Sequence, residues 1–395
     1  MRISPKVKIS DILFTVMMIF ELAFPHASQI KALLFIAFFC YMMVLKFLCF
    51  GKIKNNLHVI GSFLFLGYAY FSQKWALYPA AVSEQLNNVL WRVLLSTAIS
   101  TYVVHRNLRV KDIANRLVPI ALLLFVNVLL NASFERNRLS VGINENSFGR
   151  LSGGMACFIL YQCRQNKWKN VFLDVVAGIL VLFTFLSGSR TAVLILGLYM
   201  IAFFAFEHPT KNSLKIAKNL FTVVLLCCVG YICVTKISVL YNTIGHRIED
   251  FLNLMLGTSE GDGSSITRIN MINRAREIFS ENPWIGIGLN NFKYATYHNT
   301  YAHNNYYELA ACLGIAGLVI YYVPLAIYLL RAVGKWKRNE TEAIVPVIIM
   351  IAFFISDIGG VSYFNTISHV FVALAIGLLT KQKSMAQRLS AEEKG

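Results

Sequence analysis

The chain has 395 residues, 56% of them hydrophobic, and a formal net charge of +17. Apolar runs of about 20 residues recur along its whole length, each able to cross roughly 30 Å of hydrocarbon as a helix, which excludes a soluble domain. Because the runs are continuously apolar and do not alternate, a closed membrane β-barrel is excluded as well.

Twelve helices are expected, over about residues 10–26, 30–50, 57–73, 86–105, 113–132, 147–163, 170–187, 190–206, 217–236, 304–330, 342–357 and 362–380. This is the pattern of an all-α polytopic membrane protein, a single transmembrane domain over 1–395. No small-x-small site follows the first run, so it is a membrane helix and not a cleaved signal peptide. Threading twelve helices puts the N-terminus, 46–54, 106–116, 164–169, 211–218, 331–338 and the C-terminal tail on one side, with 24 of the 37 Lys and Arg. By the positive-inside rule both termini are cytoplasmic. The charge therefore encodes orientation and implies no nucleic-acid partner.

All eight cysteines lie in or at the ends of apolar segments, so a disulfide framework is not expected. No Cys/His spacing suggests zinc, and Cys227-Cys228 is simplest as small apolar packing. The outer loops are short (25–27, 73–83, 133–146, 188–191 and 357–362), with one exception. Residues 237–303 form a long polar external segment with five Lys/Arg against six Asp/Glu. Its middle is predicted to be an amphipathic helix, capped by Ser264 or Ser265, apolar along Ile269, Ile272, Ala275 and Phe279, and ended by Glu281-Asn282-Pro283.

Several residues along the chain could carry chemistry. Lys74 stands at an outer mouth and Arg92 inside an apolar run; an intramembrane cation usually faces a cavity, although either could pair with Glu84 or Glu135. Leu186-Ser187-Gly188-Ser189-Arg190-Thr191 joins two apolar runs with almost no loop. Its freed backbone N–H groups and the Arg190 fork suit a phosphate, the alternative being an arginine anchored to lipid headgroups. On the loop helix, Arg268 falls inside the apolar stripe, where a guanidinium needs an anionic partner. It could instead snorkel or pair with Glu249, Asp250 or Asp262. Arg276 lies near the stripe's edge, and Arg274 on the opposite face is simply solvated. His303 precedes a helix starting near Asn304, whose positive end favours a neutral imidazole able to accept a proton; the alternative is a histidine that only caps or packs. His246 and His298 look like ordinary loop residues. No acidic pair stands in the first outer loop, and no spaced carboxylate pair suggests glycoside hydrolysis.

Leu-Ser-Gly-Ser-Arg-Thr (186–191), Thr-Arg-Ile-Asn (267–270), Glu-Asn-Pro-Trp-Ile-Gly-Ile-Gly-Leu-Asn-Asn-Phe (281–292), His-Asn-Asn-Tyr-Tyr-Glu (303–308) and Leu-Gly-Ile-Ala-Gly-Leu (313–318) together resemble the O-antigen ligase/polymerase superfamily. Trp75-Ala76-Leu77-Tyr78-Pro79 and Gly142-Ile143-Asn144-Glu145-Asn146 resemble looser signatures of it. The resemblance covers about residues 70–320. It implies a GT-C-like glycosyltransferase of the bacterial inner membrane, independent of metal and needing no cofactor, acting externally on undecaprenyl-pyrophosphate-linked oligosaccharide. By motif position the family's two essential arginines fall on Arg190 and Arg268, and its histidine on His303. Arg276, Arg92, Lys74, Asn304 and Tyr307 are the further substrate-contacting residues expected. The resemblance also implies a flippase and a chain-length regulator as pathway partners, beside the lipid bilayer. Ligases tend to carry a larger external loop than the 67 residues between Lys236 and Asn304, so a polymerase of O-antigen or capsular repeat units is the expected function. A ligase transferring glycan to lipid A-core is the alternative, and a polyprenol-linked glycan transporter the alternative of another class.

Overall fold

The structure, a computed structural model, describes residues 8–23, 28–48, 56–135, 138–206, 212–255, 263–340 and 342–380. The extreme N-terminus, residues 49–55, the 25–27 loop, Asp262 and the tail from 381 lie outside the described residues. With them lies part of the basic charge on which the orientation was argued.

Each of the twelve expected runs is occupied by a helix. They are α1 (Ile9–Ala23), α2 (Ser28–Leu48), α3 (Asn56–Phe71), α4 (Pro79–His105), α5 (Val110–Asn131), α6 (Glu145–Gln165), α7 (Val171–Leu186), α8 (Arg190–Ala205) and α9 (Ser213–Lys236), then α14 (Asn305–Lys337), α15 (Ile344–Ser356) and α16 (Thr366–Thr380). Three of these, α5, α9 and α14, are long and apolar enough to cross a membrane by length and composition alone, and several of the others are shorter apolar helices. Pro79 opens α4 at a position where its missing N–H costs nothing. Asn170 and Asn212 cap α7 and α9 through their side-chain oxygens.

α4 lies at the centre, packed against α16, α3 and α2. Its inner half is lined with small hydroxyl residues, Ser96, Thr97, Ser100 and Thr101, all buried. Such residues let backbones approach closely. Gly377 on α16 completes the contact, since a Cβ there would come 2.5 Å from Val103. At the C-terminal end of α4 a buried network fixes α1, α4 and α5 together: Asp11 accepts from Tyr102 (2.7 Å), Arg106 (2.6 Å) and Arg116 (2.9 Å). By contrast, the hydrophobic stretch of α9 has none of its residues buried, as suits a helix bathed in lipid.

Two features depart from the expectation. The 133–146 loop carries a two-stranded antiparallel hairpin, β1 (Ser133–Glu135) with β2 (Arg138–Ser140), in a protein otherwise expected to be all-α. Residues 237–303 hold more than one helix: α10 (Ser238–Leu240) runs through a π-helical turn (Tyr241–Gly245) into α11 (His246–Met255), followed by α12 (Gly263–Glu281) and α13 (Phe292–Ala295).

α12 ends at Glu281 before Asn282-Pro283 as expected, but begins at Gly263, so the serines expected to cap it lie inside the helix. Its buried face is also different. Met271, Ala275 and Ile278 are buried, whereas Ile269 is 46% exposed and Ile272 and Phe279 are only half-buried. The stripe was placed too far round because α12 packs on α14, and that protein contact selects a different face from the most apolar one. Arg268 stays on the inward side, one turn before Met271.

After α12 the chain runs into a gap in α14. Gly314, at φ +64°, interrupts that helix. Ile287 and Gly288 donate to the carbonyls of Ala311 and Cys312 (3.1 and 2.8 Å), and Ile315 and Ala316 donate to those of Pro283 and Trp284 (2.8 and 3.2 Å). The backbone groups that the break would orphan are thus paired by the turn segment 283–288, as buried irregular backbone requires. Gly286, at φ +65°, fits because a Cβ would collide with the Cys312 carbonyl. The other side of this segment takes the Trp75–Pro79 turn. Trp75 donates to Ile285 O (3.1 Å), Leu77 N to Ile287 O (3.1 Å) and Tyr78 N to Asn291 Oδ1 (2.6 Å).

Candidate functional site

Three of the sequence motifs converge on one cavity of about 240 Å³ at one end of the helix packing. The Leu-Ser-Gly-Ser-Arg-Thr turn supplies one wall. Gly188 adopts φ +62°, where a Cβ would meet Arg138 Cγ at 2.8 Å and the Thr243 carbonyl at 3.0 Å. Ser189 then caps α8, its Oγ accepting from Ala192 N, which leaves Arg190 as the first helical residue, aimed into the cavity. Arg190 Nη1 donates to the Arg247 carbonyl (3.3 Å), tying this wall to α11. Arg268 enters from α12, Arg247 from α11 and Arg150 from α6.

His303 forms the facing wall. It stands just before the N-cap, with φ +53°, a left-handed conformation that costs energy outside glycine and asparagine and persists only where surroundings enforce it. The enforcement is visible. Buried Glu308 accepts from Ala302 N (2.7 Å), and Asn304 Oδ1 accepts from Tyr306 N and Tyr307 N. Asn305 donates from its backbone to Asp357 O and from its amide to Asp357 Oδ2, while its Oδ1 accepts from Ser362 N and Tyr363 N. The imidazole rests against Tyr301, ring centroids 4.5 Å apart. Burial, helped by the Arg268 cation, pushes its pKa from the usual 6.5 down to about 4. The helix terminus leads one to expect a neutral ring; desolvation and the neighbouring arginine are what favour it here.

The cavity therefore gathers Arg190, Arg268 and His303 from three motifs, and adds two arginines the sequence reading did not single out, Arg150 and Arg247. Arg138 stands behind them. It donates to Ser187 O (2.8 Å) and Asn146 Oδ1 (2.9 Å) and pairs with Glu145 at 3.4 Å. Burial lowers its pKa, Glu145 opposes, and Arg268 and Arg190 lower it further. Arg138 and Arg150 bracket the Gly142–Asn146 motif at four residues on either side, a signal that could have flagged both. Among the described residues that line the cavity there is no carboxylate. Four guanidiniums around one opening, with backbone and amide donors between them, can hold an anion with several oxygens.

The other expected contacts lie elsewhere. Lys74 is exposed and Arg92 sits deep among the helices; neither lines this cavity. Glu84, offered as their partner, pairs with Lys293 (3.1 Å) and Tyr294. Arg276 donates through Nε and Nη2 to the Tyr307 hydroxyl (3.1 and 2.7 Å), a couple beside the cavity and not in its lining. The Asn304 amide is spent on the cap and on Ile358 O (3.1 Å). Arg274 pairs with Glu277 at 2.7 Å on the surface.

A second, apolar crevice of about 410 Å³ opens between α7, α8 and α9 and reaches α11. Val193, one turn beyond Arg190, and Ile248, next to Arg247, both line it. The basic cavity and the apolar crevice are thus neighbours.

Compared with known families, residues 175–322 match the O-antigen ligase (Wzy_C) family model. Over that stretch, residues 175–322 of the 395, the chain is similar to the O-antigen ligase/polymerase superfamily. Members of this superfamily are glycosyltransferase-like enzymes of O-antigen pathways. The matched stretch contains Arg190, Arg247, Arg268 and His303, whereas Arg138 and Arg150 precede it. No curated protein matches the chain.

Proposed function

We propose that this protein is a polysaccharide polymerase of the bacterial inner membrane. It spans the bilayer with twelve helices in a GT-C-like arrangement, both termini in the cytoplasm, and joins undecaprenyl-pyrophosphate-linked repeat units on the outer side. The observation that carries the reading is a cavity whose described lining holds four arginines and His303 and no carboxylate, beside an apolar crevice. A pyrophosphate attached to an isoprenoid has the chemistry both compartments ask for: a multiply charged head and a tail that prefers hydrocarbon.

In the reaction, Arg190 and Arg268 clamp the pyrophosphate, with Arg150 and Arg247 completing the charge. The acceptor sugar hydroxyl attacks the anomeric carbon opposite the pyrophosphate and inverts it. The C–O bond to phosphate breaks, undecaprenyl pyrophosphate departs with the electron pair, and the hydroxyl proton passes to His303. An imidazolium is disfavoured among arginines, but the negative charge gathering on the leaving pyrophosphate reverses that balance. Because guanidiniums supply the positive charge on the leaving group, the reading needs no divalent cation. Residues 237–303 act as the external catalytic loop, and the lipid tail occupies the crevice between α7, α8 and α9.

The 67-residue span of that loop favours a polymerase, whereas the description of the matched family as O-antigen ligase favours transfer of finished glycan to lipid A-core. Deleting the gene and resolving surface and carrier-linked glycan on a gel separates them. A single-repeat surface product is the polymerase outcome. Polymer accumulating on undecaprenyl carrier means ligase, and unpolymerised units held on the cytoplasmic face mean a transporter.

A further inference from the structure

Arg92, which the basic cavity does not use, marks a second polar enclosure in the middle of the helix packing. The residue is 3% exposed, and its Nε and Nη2 have no hydrogen-bond partner among the described residues. None of the ion pairs among those residues involves it. The rings of Phe65 and Tyr321 lie 5.2 and 5.7 Å from its guanidinium carbon, and such contacts offset only part of the cost of a dehydrated charge. His58 on α3 is equally buried, and its Nε2 also lacks a partner among the described residues. Both side chains line one cavity of about 20 Å³, with Ser62, Tyr321 and His369.

The remaining polar groups there are committed. His369 Nδ1 faces the Asn365 carbonyl (3.0 Å), so it carries the proton and Nε2 accepts. Tyr321 then donates its hydroxyl to that Nε2 (3.2 Å) and accepts from Ser362 Oγ (2.8 Å). What faces the cavity unanswered is a full positive charge with three N–H groups on two nitrogens, beside one imidazole nitrogen.

We propose that this cavity holds a small monovalent inorganic anion of halide size. A cavity of about 20 Å³ exceeds the roughly 10–15 Å³ that one water needs, and leaves no room for a phosphoryl group. A water would satisfy the donors and leave the charge uncompensated in the hydrocarbon region; an anion answers both. Its neighbours come from α3, α4, α14 and α16, so the ion ties four helices together. Through Tyr321, Ser362 and Asn305 it supports the turn that presents His303.

The test uses the purified full-length protein at constant ionic strength, with sodium gluconate replaced stepwise by chloride or bromide. The melting temperature should rise and saturate with halide, and Arg92→Gln should remove that dependence. Crystals grown in bromide should show an anomalous peak within hydrogen-bond reach of Arg92. A melting temperature indifferent to halide, an equal response in Arg92→Gln, or water density without bromide signal would each overturn the proposal. The wild-type titration and the bromide peak decide it even if the variant does not fold.

Discussion

His303 and the arginines around it form one electrostatic unit, and their consequences can be measured separately. As a base, His303 should be worth on the order of 10²–10⁴-fold in turnover. We expect His303→Ala to lose polymer formation by that factor with donor binding nearly intact. His303→Gln, which accepts a hydrogen bond but no proton at neutral pH, should be as poor; near-native turnover in it would reduce His303 to orienting the acceptor. The same residue predicts a titration. Its folded pKa near 4 lies below the ordinary 6.5, so between those values the unfolded chain binds a proton that the folded one does not, and stability falls as pH drops through that window. By NMR of ring-labelled histidine, the His303 resonance should stay neutral below pH 5. Arg268→Gln should raise its pKa toward 6.5, because the nearby positive charge is gone, and added inorganic pyrophosphate should raise it as well. No movement with Arg268→Gln would show that burial alone sets the value. For the clamp, Arg190→Lys and Arg268→Lys keep the charge and lose the two-pronged geometry, so both should fail nearly as badly as alanine. Arg274→Ala, paired only with Glu277 at the surface, should stay near wild type in the same product assay.

At the scale of elements, the insertion of residues 283–288 into the break of α14 is the most demanding piece of local structure. Gly286→Ala must accommodate both a positive φ and a methyl group driven into the Cys312 carbonyl. We expect a loss of stability of about 1–3 kcal/mol, seen as a lower melting temperature. Gly178→Ala, with open space around it, is the control and should melt like wild type. The elements also show what could be read in advance. The twelve apolar runs are legible as helices because a long apolar segment satisfies its backbone groups most simply within itself, a signal that needs no knowledge of neighbours. The buried face of α12 was misplaced because protein, not lipid, covers it, and Met271 and Ile278 outrank Ile269 only once α14 is in position. Arg138, Arg150 and Arg247 escaped notice for a related reason. Each looks like an ordinary arginine near a helix end, and only the tertiary fold brings them beside Arg190 and Arg268. Arg92 lines a cavity of its own and not the basic one; which cavity it meets is a matter of helix rotation, and no local pattern carries that.

For the whole molecule, the proposed orientation makes a direct prediction. Cysteine placed at the exposed Tyr297 should react with a membrane-impermeant maleimide in intact spheroplasts. Cysteine at Lys167, in a short basic loop on the opposite side, should react only after permeabilisation. The reverse pattern would put the basic cavity in the cytoplasm and remove its access to an external donor. Product formation in purified protein should also survive chelation of divalent cations, since arginines carry the charge compensation; abolition by chelator with rescue by magnesium would contradict the clamp.

The seam between residues 283–288, the Trp75–Pro79 turn and the interrupted α14 bears on how such proteins can be recombined. The external segment looks like a detachable specificity cassette, yet its last third completes the backbone pairing of a membrane helix, and the first external turn completes its own. A chimaera that exchanges 237–303 alone would set a foreign turn into the native gap. A working exchange has to carry 72–81 and 283–316 as one unit, so that inheritance of a new donor preference is expected to be discontinuous in sequence though continuous in space.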